Sequence, residues 1–235
     1  MKITIIHGQS HKGSTYHIAK MLSEKLNGEV TEFFLPRDFG EFCTGCTNCF
    51  VHSETSCPHY EKLKPITAAL DLADVIVLAS PVYVYHVTGA MKAFLDHYGY
   101  RWMVHRPEEK MFCKQAVCIS TAAGGGMKST NQDMAHSTFF WGIAKTYRYG
   151  VGVAAVSWDA VSAEKKERIE KKLTALAGKI KRNCRTIKPS VKTRAFFYIM
   201  RMLQKRGWNK ADVDYWKERG WDRKKRPWRQ SFQSK

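Results

Sequence analysis

The loop Gly8-Gln9-Ser10-His11-Lys12-Gly13-Ser14-Thr15 follows a short apolar run, Ile3, Ile5 and Ile6. A helical pattern comes after it, Ile18, Ala19, Met21, Leu22 and Leu26. A strand that feeds a glycine and hydroxyl loop opening a helix is an anion site. Its backbone N–H groups and the helix's positive end point at one spot. Ser10, Ser14 and Thr15 add hydroxyl donors, and Lys12 adds a charge. That set suits a phosphate monoester. The Gly-Lys-Ser/Thr ending of a Walker loop is missing, and so is the Gly-x-Gly-x-x-Gly dinucleotide fingerprint. The plain alternative is a βα turn with an ordinary cap at Ser14.

Two further loops have unusual chemistry. Ser80-Pro81-Val82-Tyr83-Val84-Tyr85-His86-Val87-Thr88-Gly89 offers a rigid wall of proline and aromatic residues, suited to a flat heteroaromatic ring. Thr121-Ala122-Ala123-Gly124-Gly125-Gly126 lets backbone approach a ligand closely. A fourth stretch, Cys43-x2-Cys46-x2-Cys49-x7-Cys57, has thiols at spacings that can hold an iron–sulfur cluster. Zinc is a second reading, and a metal-free lid with reduced thiols a third. The nine histidines show no metal-ligand spacing; His86 and His105 stand nearest the expected pocket, as structural or substrate-contacting residues. Cys113, Cys118 and Cys184 read as buried small hydrophobes.

These stretches need a frame. Strands are expected at residues 2–7, 29–35, 75–79, 116–120 and 151–157. Helices are expected at about 14–27, 60–72, 89–97, 128–145 and 163–184. Alternating strands and helices imply a parallel sheet wound on both faces. Five strands favour the flavodoxin-like order 2-1-3-4-5. There a ligand lies beyond the carboxyl ends of the strands, beside strands one and three. The loops 8–15, 80–89 and 121–126 all fall on that edge.

The chain resembles the flavodoxin-like NAD(P)H-dependent FMN reductase family, and is also similar to that family's iron–sulfur flavoprotein branch. The carrying residues are the 8–15 loop, Cys43 to Cys49, Ser80-Pro81-Val82-Tyr83, 89–96 (GAMKAFLD), His105-Arg106-Pro107 and Gly124 to Gly126. The likeness covers residues 1–184, and the tail's Tyr215-Trp216 and Gly220-Trp221 also occur in some members. The resemblance implies non-covalent FMN with its phosphate on Ser10, Lys12, Gly13, Ser14 and Thr15. Its ring would lie against Pro81, Val82, Tyr83 and Val84, with Thr121, Gly124, Gly125 and Gly126 on a third side. NAD(P)H would be the electron donor. A quinone, flavin, azo or nitro compound, or a metal ion, would be the small-molecule acceptor. The flavin carries the chemistry, so no catalytic side chain is assigned. The branch likeness implies an alternative, an electron carrier with FMN and a [4Fe–4S] cluster on Cys43, Cys46, Cys49 and Cys57.

The formal net charge of +18 is uneven. Residues 1–160 carry 15 basic and 14 acidic side chains, and residues 161–235 carry 24 and 7. The chain thus divides into an FMN-binding domain, 1–186, and a basic, aromatic-rich helical extension, 187–235. In 191–206, Ala195, Phe196, Ile199, Met200 and Leu203 share one helical face, and 210–219 forms another short helix. Such a segment is expected to pack on its own domain or on the partner in a homodimer, with a solvated basic face. A flavodoxin-like binding module whose tail contacts nucleic acid is a third functional reading, but residues 1–160 hold no nucleic-acid motif. Seven cysteines, no export signal and no apolar run of roughly 18 residues point to a cytoplasmic protein without a membrane anchor.

Overall fold

The computed structural model describes residues 1–184 and 186–229. Five strands form one parallel sheet: β1 (Lys2–His7), β2 (Glu29–Phe34), β3 (Val75–Pro81), β4 (Gln115–Ala122) and β5 (Lys145–Gly152). Their order is the expected β2-β1-β3-β4-β5. The central strands β1, β3 and β4 are buried almost throughout because both faces are covered; β3 opens on the unbroken run Val75 to Ala79, whereas β1 is interrupted by Thr4, whose hydroxyl donates to Ala69 O at 2.9 Å. On one face lie α1 (Ser14–Leu26) and α6 (Ala163–Asn183), sealing a core of Ile5, Leu22, Val77, Ile119 and Leu173. On the other lie α3 (Tyr60–Leu72), α4 (Gly89–Asp96) and α5 (Met127–Phe140), over Ile6, Leu78, Phe94 and Met134. The short helix α2 (Asn48–Val51) lies in the cysteine loop.

The fifth strand lies earlier than expected. The apolar 151–157 run reads as a strand, yet β5 is Lys145–Gly152, and α5 stops at Phe140. β5 is an edge strand. Tyr147, Tyr149 and Val151 pack on the core below α6, while Thr146 bonds Thr138 and Arg148 bonds Gln132 on the other side. Its alternation of aromatic and polar residues hides it among helical patterns.

The extension is helical: α7 (Val191–Lys205) and α8 (Lys210–Glu218). It packs on its own chain. Phe197, Met200, Trp216, Trp221 and Trp228 enclose Met103 and Phe112 in a third core. The buried face of α7 is Thr193, Phe197, Met200 and Gln204, one position round from the expected face, and Ile199 is exposed. The turn is set by Phe197, which stacks on Trp216 at 4.8 Å between ring centroids. Several basic side chains are spent within the tail. Arg201 donates to the carbonyls of Trp221, Asp222 and Arg223, and Arg219 lies 3.5 Å over the Tyr215 ring. No helix among the described residues is long and apolar enough to cross a membrane.

One buried charge gives a pH test. Lys114 Nζ donates to the carbonyls of Leu70 (2.7 Å) and Asp71 (2.6 Å) at the end of α3. Burial holds its pKa down, to about 8. The folded chain therefore releases this proton before the unfolded chain does. Between that pH and the ordinary lysine value of about 10.4, the unfolded state binds more protons, so stability rises with pH. The gain is complete above the unfolded pKa and is lost as pH falls through the folded one. Denaturant titrations of wild type and Lys114→Met should show wild type gaining on the variant between about pH 7 and about pH 10. A pH-independent difference would contradict this.

Candidate functional site

Strand register sets the site. His7 lies beside Ala79, Pro81 beside Thr121, and Ala122 beside Gly152, so the ends of β1, β3, β4 and β5 share one edge. Gly8 N donates to Ala79 O at 2.7 Å and Val82 N to Thr121 O at 2.9 Å, which bolts the loops to the sheet. Thr88 adds a second bolt. Its hydroxyl donates to Gly8 O at 2.5 Å and caps α4 by accepting from Met91 N. A side chain at Gly8 would come within 3.0–3.1 Å of Ser80 and Thr88, so glycine permits this approach.

A cleft of about 260 Å³ opens on this edge. One end is the N-terminus of α1, with Gly13, Ser14 and Thr15. Gly13 is the N-cap and supplies no side-chain acceptor, and the first turn holds no carboxylate. The positive helix end thus faces the cleft without a protein anion. Thr15 and Thr121 share a buried hydroxyl bond of 2.6 Å. Pro81, Val82 and Tyr83 form one wall, Thr121, Ala122 and Ala123 another, and Val153, Ala155 and Val156 a third. Beneath it, His7 bonds Glu32 at 2.8 Å and stacks on Phe34. Burial lowers the His7 pKa against the opposing pull of Glu32.

Gly13, Ser14, Thr15, Pro81, Val82, Tyr83 and Thr121 of the expected ligand set line the cleft; Ser10, Lys12, Val84 and Gly124 to Gly126 do not. Ser10 donates to Leu35 O at 3.2 Å, and Lys12 lies over the Tyr16 and Phe34 rings. Gly126, at φ +91°, backs the wall: a Cβ there would stand 2.6 Å from Val82. Sequence reasoning missed Gln9, whose amide holds the Tyr83 hydroxyl and the His11 N–H. It also missed the third wall, because that stretch was read as strand.

Val84 (φ 48°) and Tyr85 (φ 66°) form a tight turn in left-handed backbone, closed by reciprocal bonds between Tyr83 and His86. A β-branched residue there is strained. Ser129 and Asp133 hold it through Tyr85 O and the His86 ring. His105 is remote from the cleft and belongs to the tail's dock. It bonds Asp212 at 2.8 Å, and its carbonyl accepts from Trp216 Nε1 at 2.6 Å.

Cys43 and Cys46 are exposed, and Cys49 and Cys57 are half-buried. Burial, then the charges of Cys57, Cys43 and Cys46, push the Cys49 thiol up to about 11. No three of these four sulfurs lie within 4.8 Å of one another, so a four-thiolate zinc site is not assembled. Cys118 is buried as expected, while Cys113 and Cys184 are half-buried.

The sequence pattern of NADPH-dependent FMN reductases matches residues 1–155. The chain belongs to that family. It is an FMN-dependent oxidoreductase that draws on NAD(P)H. Among curated relatives, an iron–sulfur flavoprotein of Archaeoglobus fulgidus is 29% identical over 207 residues, 84% of this chain and 87% of that one. An NADPH azoreductase of a Bacillus species is 29% identical over 135 residues, 56% of this chain and 64% of that one. The solved structure of a flavone reductase superposes with a TM-score of 0.58 at 16% identity, over 81% of this chain and 66% of that one. That likeness shows the shared flavodoxin-like fold.

Proposed function

We propose that this FMN reductase holds the flavin phosphate at the N-terminus of α1, on Gly13, Ser14 and Thr15. Ser10 and Lys12, which stand outside the cleft on Leu35 O and on the Tyr16 and Phe34 rings, reach the phosphate only by turning from those partners. The ring lies between Pro81 to Tyr83 and Thr121 to Ala123, and a flat small molecule, such as a quinone, free flavin, azo or nitro compound, takes the electrons. The observation that carries this is the continuity of the cleft, from an uncapped helix end to an apolar slot. The donor set fits a phosphate monoester, and the slot's walls fit an aromatic ring. When bound, FMN supplies hydride acceptance and electron transfer. The chain's residues bind and orient. Gln9 braces Tyr83, Thr15 braces Thr121, and Glu32 and Phe34 hold the His7 ring beneath them.

The open side is rimmed by Tyr83, Val84 (93% exposed), Tyr85 (68%) and Val156 (101%). Acceptor and nicotinamide take turns there, and a second copy of the chain covers it in a homodimer. Anaerobic mixing of FMN-loaded protein with NADPH should bleach the flavin absorbance, and a naphthoquinone should restore it. Flavin that stays oxidised under excess NADPH and NADH would reject the reading. The spacing of Cys43, Cys46, Cys49 and Cys57, together with the iron–sulfur flavoprotein relative, favours one alternative, a [4Fe–4S] electron carrier. Iron and acid-labile sulfide in anaerobically purified protein would support it.

A further inference from the structure

The last cysteine of the loop has neighbours of another kind. Cys57, His59 and His97 bring one ligand atom each to within 4.8 Å of one another. No other such group of three exists among the described residues. His97 is the C-cap of α4 and is buried. Its Nδ1 lies 2.7 Å from Ala93 O. A carbonyl can only accept, so Nδ1 carries the proton and Nε2 presents a lone pair. An orienting backbone carbonyl on one ring nitrogen is how metal-bound histidines are commonly held. His59 Nδ1 meets that Nε2 at 2.9 Å. Phe39 packs edge-on against the His97 ring at 4.9 Å and fixes its plane.

We propose that Cys57, His59 and His97 form a mononuclear transition-metal site of the zinc type, apart from the flavin cleft. Zinc bonds nitrogen at about 2.0–2.1 Å and thiolate sulfur at about 2.3 Å, so in a tetrahedral site neighbouring donors lie about 3.3–3.6 Å apart. The two imidazole nitrogens already stand at 2.9 Å, and the Cys57 sulfur, within 4.8 Å of both, closes the site by a side-chain movement of about an ångström at most. Binding sends the Cys57 thiol proton to solvent and moves the His59 proton to Nε2, freeing Nδ1. Water fills the fourth position. The metal ties the end of the cysteine loop to α4, the helix whose Thr88 cap bolts the cleft. The inference does not rest on where FMN sits. It competes with a four-cysteine cluster, because Cys57 serves one set or the other.

Cobalt(II) tests it, added to the full FMN-loaded chain. The expected result is one equivalent bound, with tetrahedral d–d bands and a thiolate charge-transfer band. The triple variant C43S/C46S/C49S should keep both. Cys57→Ser and His59→Ala should each weaken binding by more than the roughly 10–100-fold that loss of an orienting partner costs. His59 is only half-buried, so its variant spares the core; retained FMN and melting temperature confirm that. Absence of stoichiometric cobalt binding overturns the site. So does binding lost in the triple variant and kept in His59→Ala. Iron and sulfide that need Cys57 but not His59 would assign that thiol to a cluster and overturn it equally.

Discussion

Replacing Ser14 with alanine and Thr15 with valine should weaken FMN binding by about two to four orders of magnitude. Both residues stand in the first turn of α1, where Gly13 leaves the helix end without a side-chain acceptor. A hydrogen bond to a charged group contributes roughly 1.5–3 kcal/mol, and each 1.4 kcal/mol is about tenfold in Kd. Riboflavin separates phosphate binding from fold damage, because it has the ring and no phosphate. Its affinity should change little. Fluorescence titration of both flavins reads the difference. Equal losses for the two would place the phosphate elsewhere, and so would an unchanged FMN constant.

Asp212→Ala should lower the melting temperature by on the order of 10 °C and open the cysteine loop to proteases. Asp212 and Arg106 are both buried and bond each other. The Arg106 guanidinium also donates to the carbonyls of Cys49 and Phe50, and Asn209 Nδ2 donates to Phe50 O at 3.0 Å. Tyr215 adds a bond of 2.6 Å to Pro107 O. Removing one partner of a buried ion pair leaves a stranded charge and costs roughly 3–5 kcal/mol. A chain of this size loses roughly 2–4 °C per kcal/mol. Calorimetry reads the stability, and the rate of limited proteolysis within 40–58 reads the loop. Unchanged values of both would show that the tail does not hold the loop. Asp212→Asn, which keeps an acceptor but not the charge, should fall between.

Much of this was legible in the sequence, for identifiable reasons. Strands β1, β3 and β4 announce themselves because burial on both faces demands mostly apolar, β-branched residues, Ile3 to Ile6, Val75 to Leu78 and Ala116 to Ile119. Their shared edge follows from chain order alone, which is why Gly13, Ser14, Thr15, Pro81 and Thr121 could be assembled into one cleft. β5 was misplaced because an edge strand has one weakly apolar face. The Val153 wall was lost with it. Gln9 left no signal: its role is a bond to Tyr83 from another loop. His105-Arg106-Pro107 was legible as a motif but not as a dock, because its partners Asp212, Tyr215 and Trp216 stand more than a hundred positions away. The α7 face was set one residue round because both faces hold apolar residues. The packing of Phe197 on Trp216, Phe112, Trp221 and Trp228 decides between them.

The clamp on the cysteine loop also has an order in time. Phe50 waits for Asn209, 159 positions further on, and Arg106 waits for Asp212, 106 positions further on. A chain made at roughly 5–20 residues per second keeps the loop unclamped on the ribosome for about ten to thirty seconds after Phe50 is added. The sheet and the flavin cleft need only β1 to β5 and their crossovers, and are complete earlier. The nascent chain therefore passes through a stage with a formed cleft and four reachable thiols. Docking of α7 and α8 then fixes the backbone at Cys49 and Phe50 but leaves Cys43 and Cys46 exposed, so it sets the loop's shape rather than closing off its thiols.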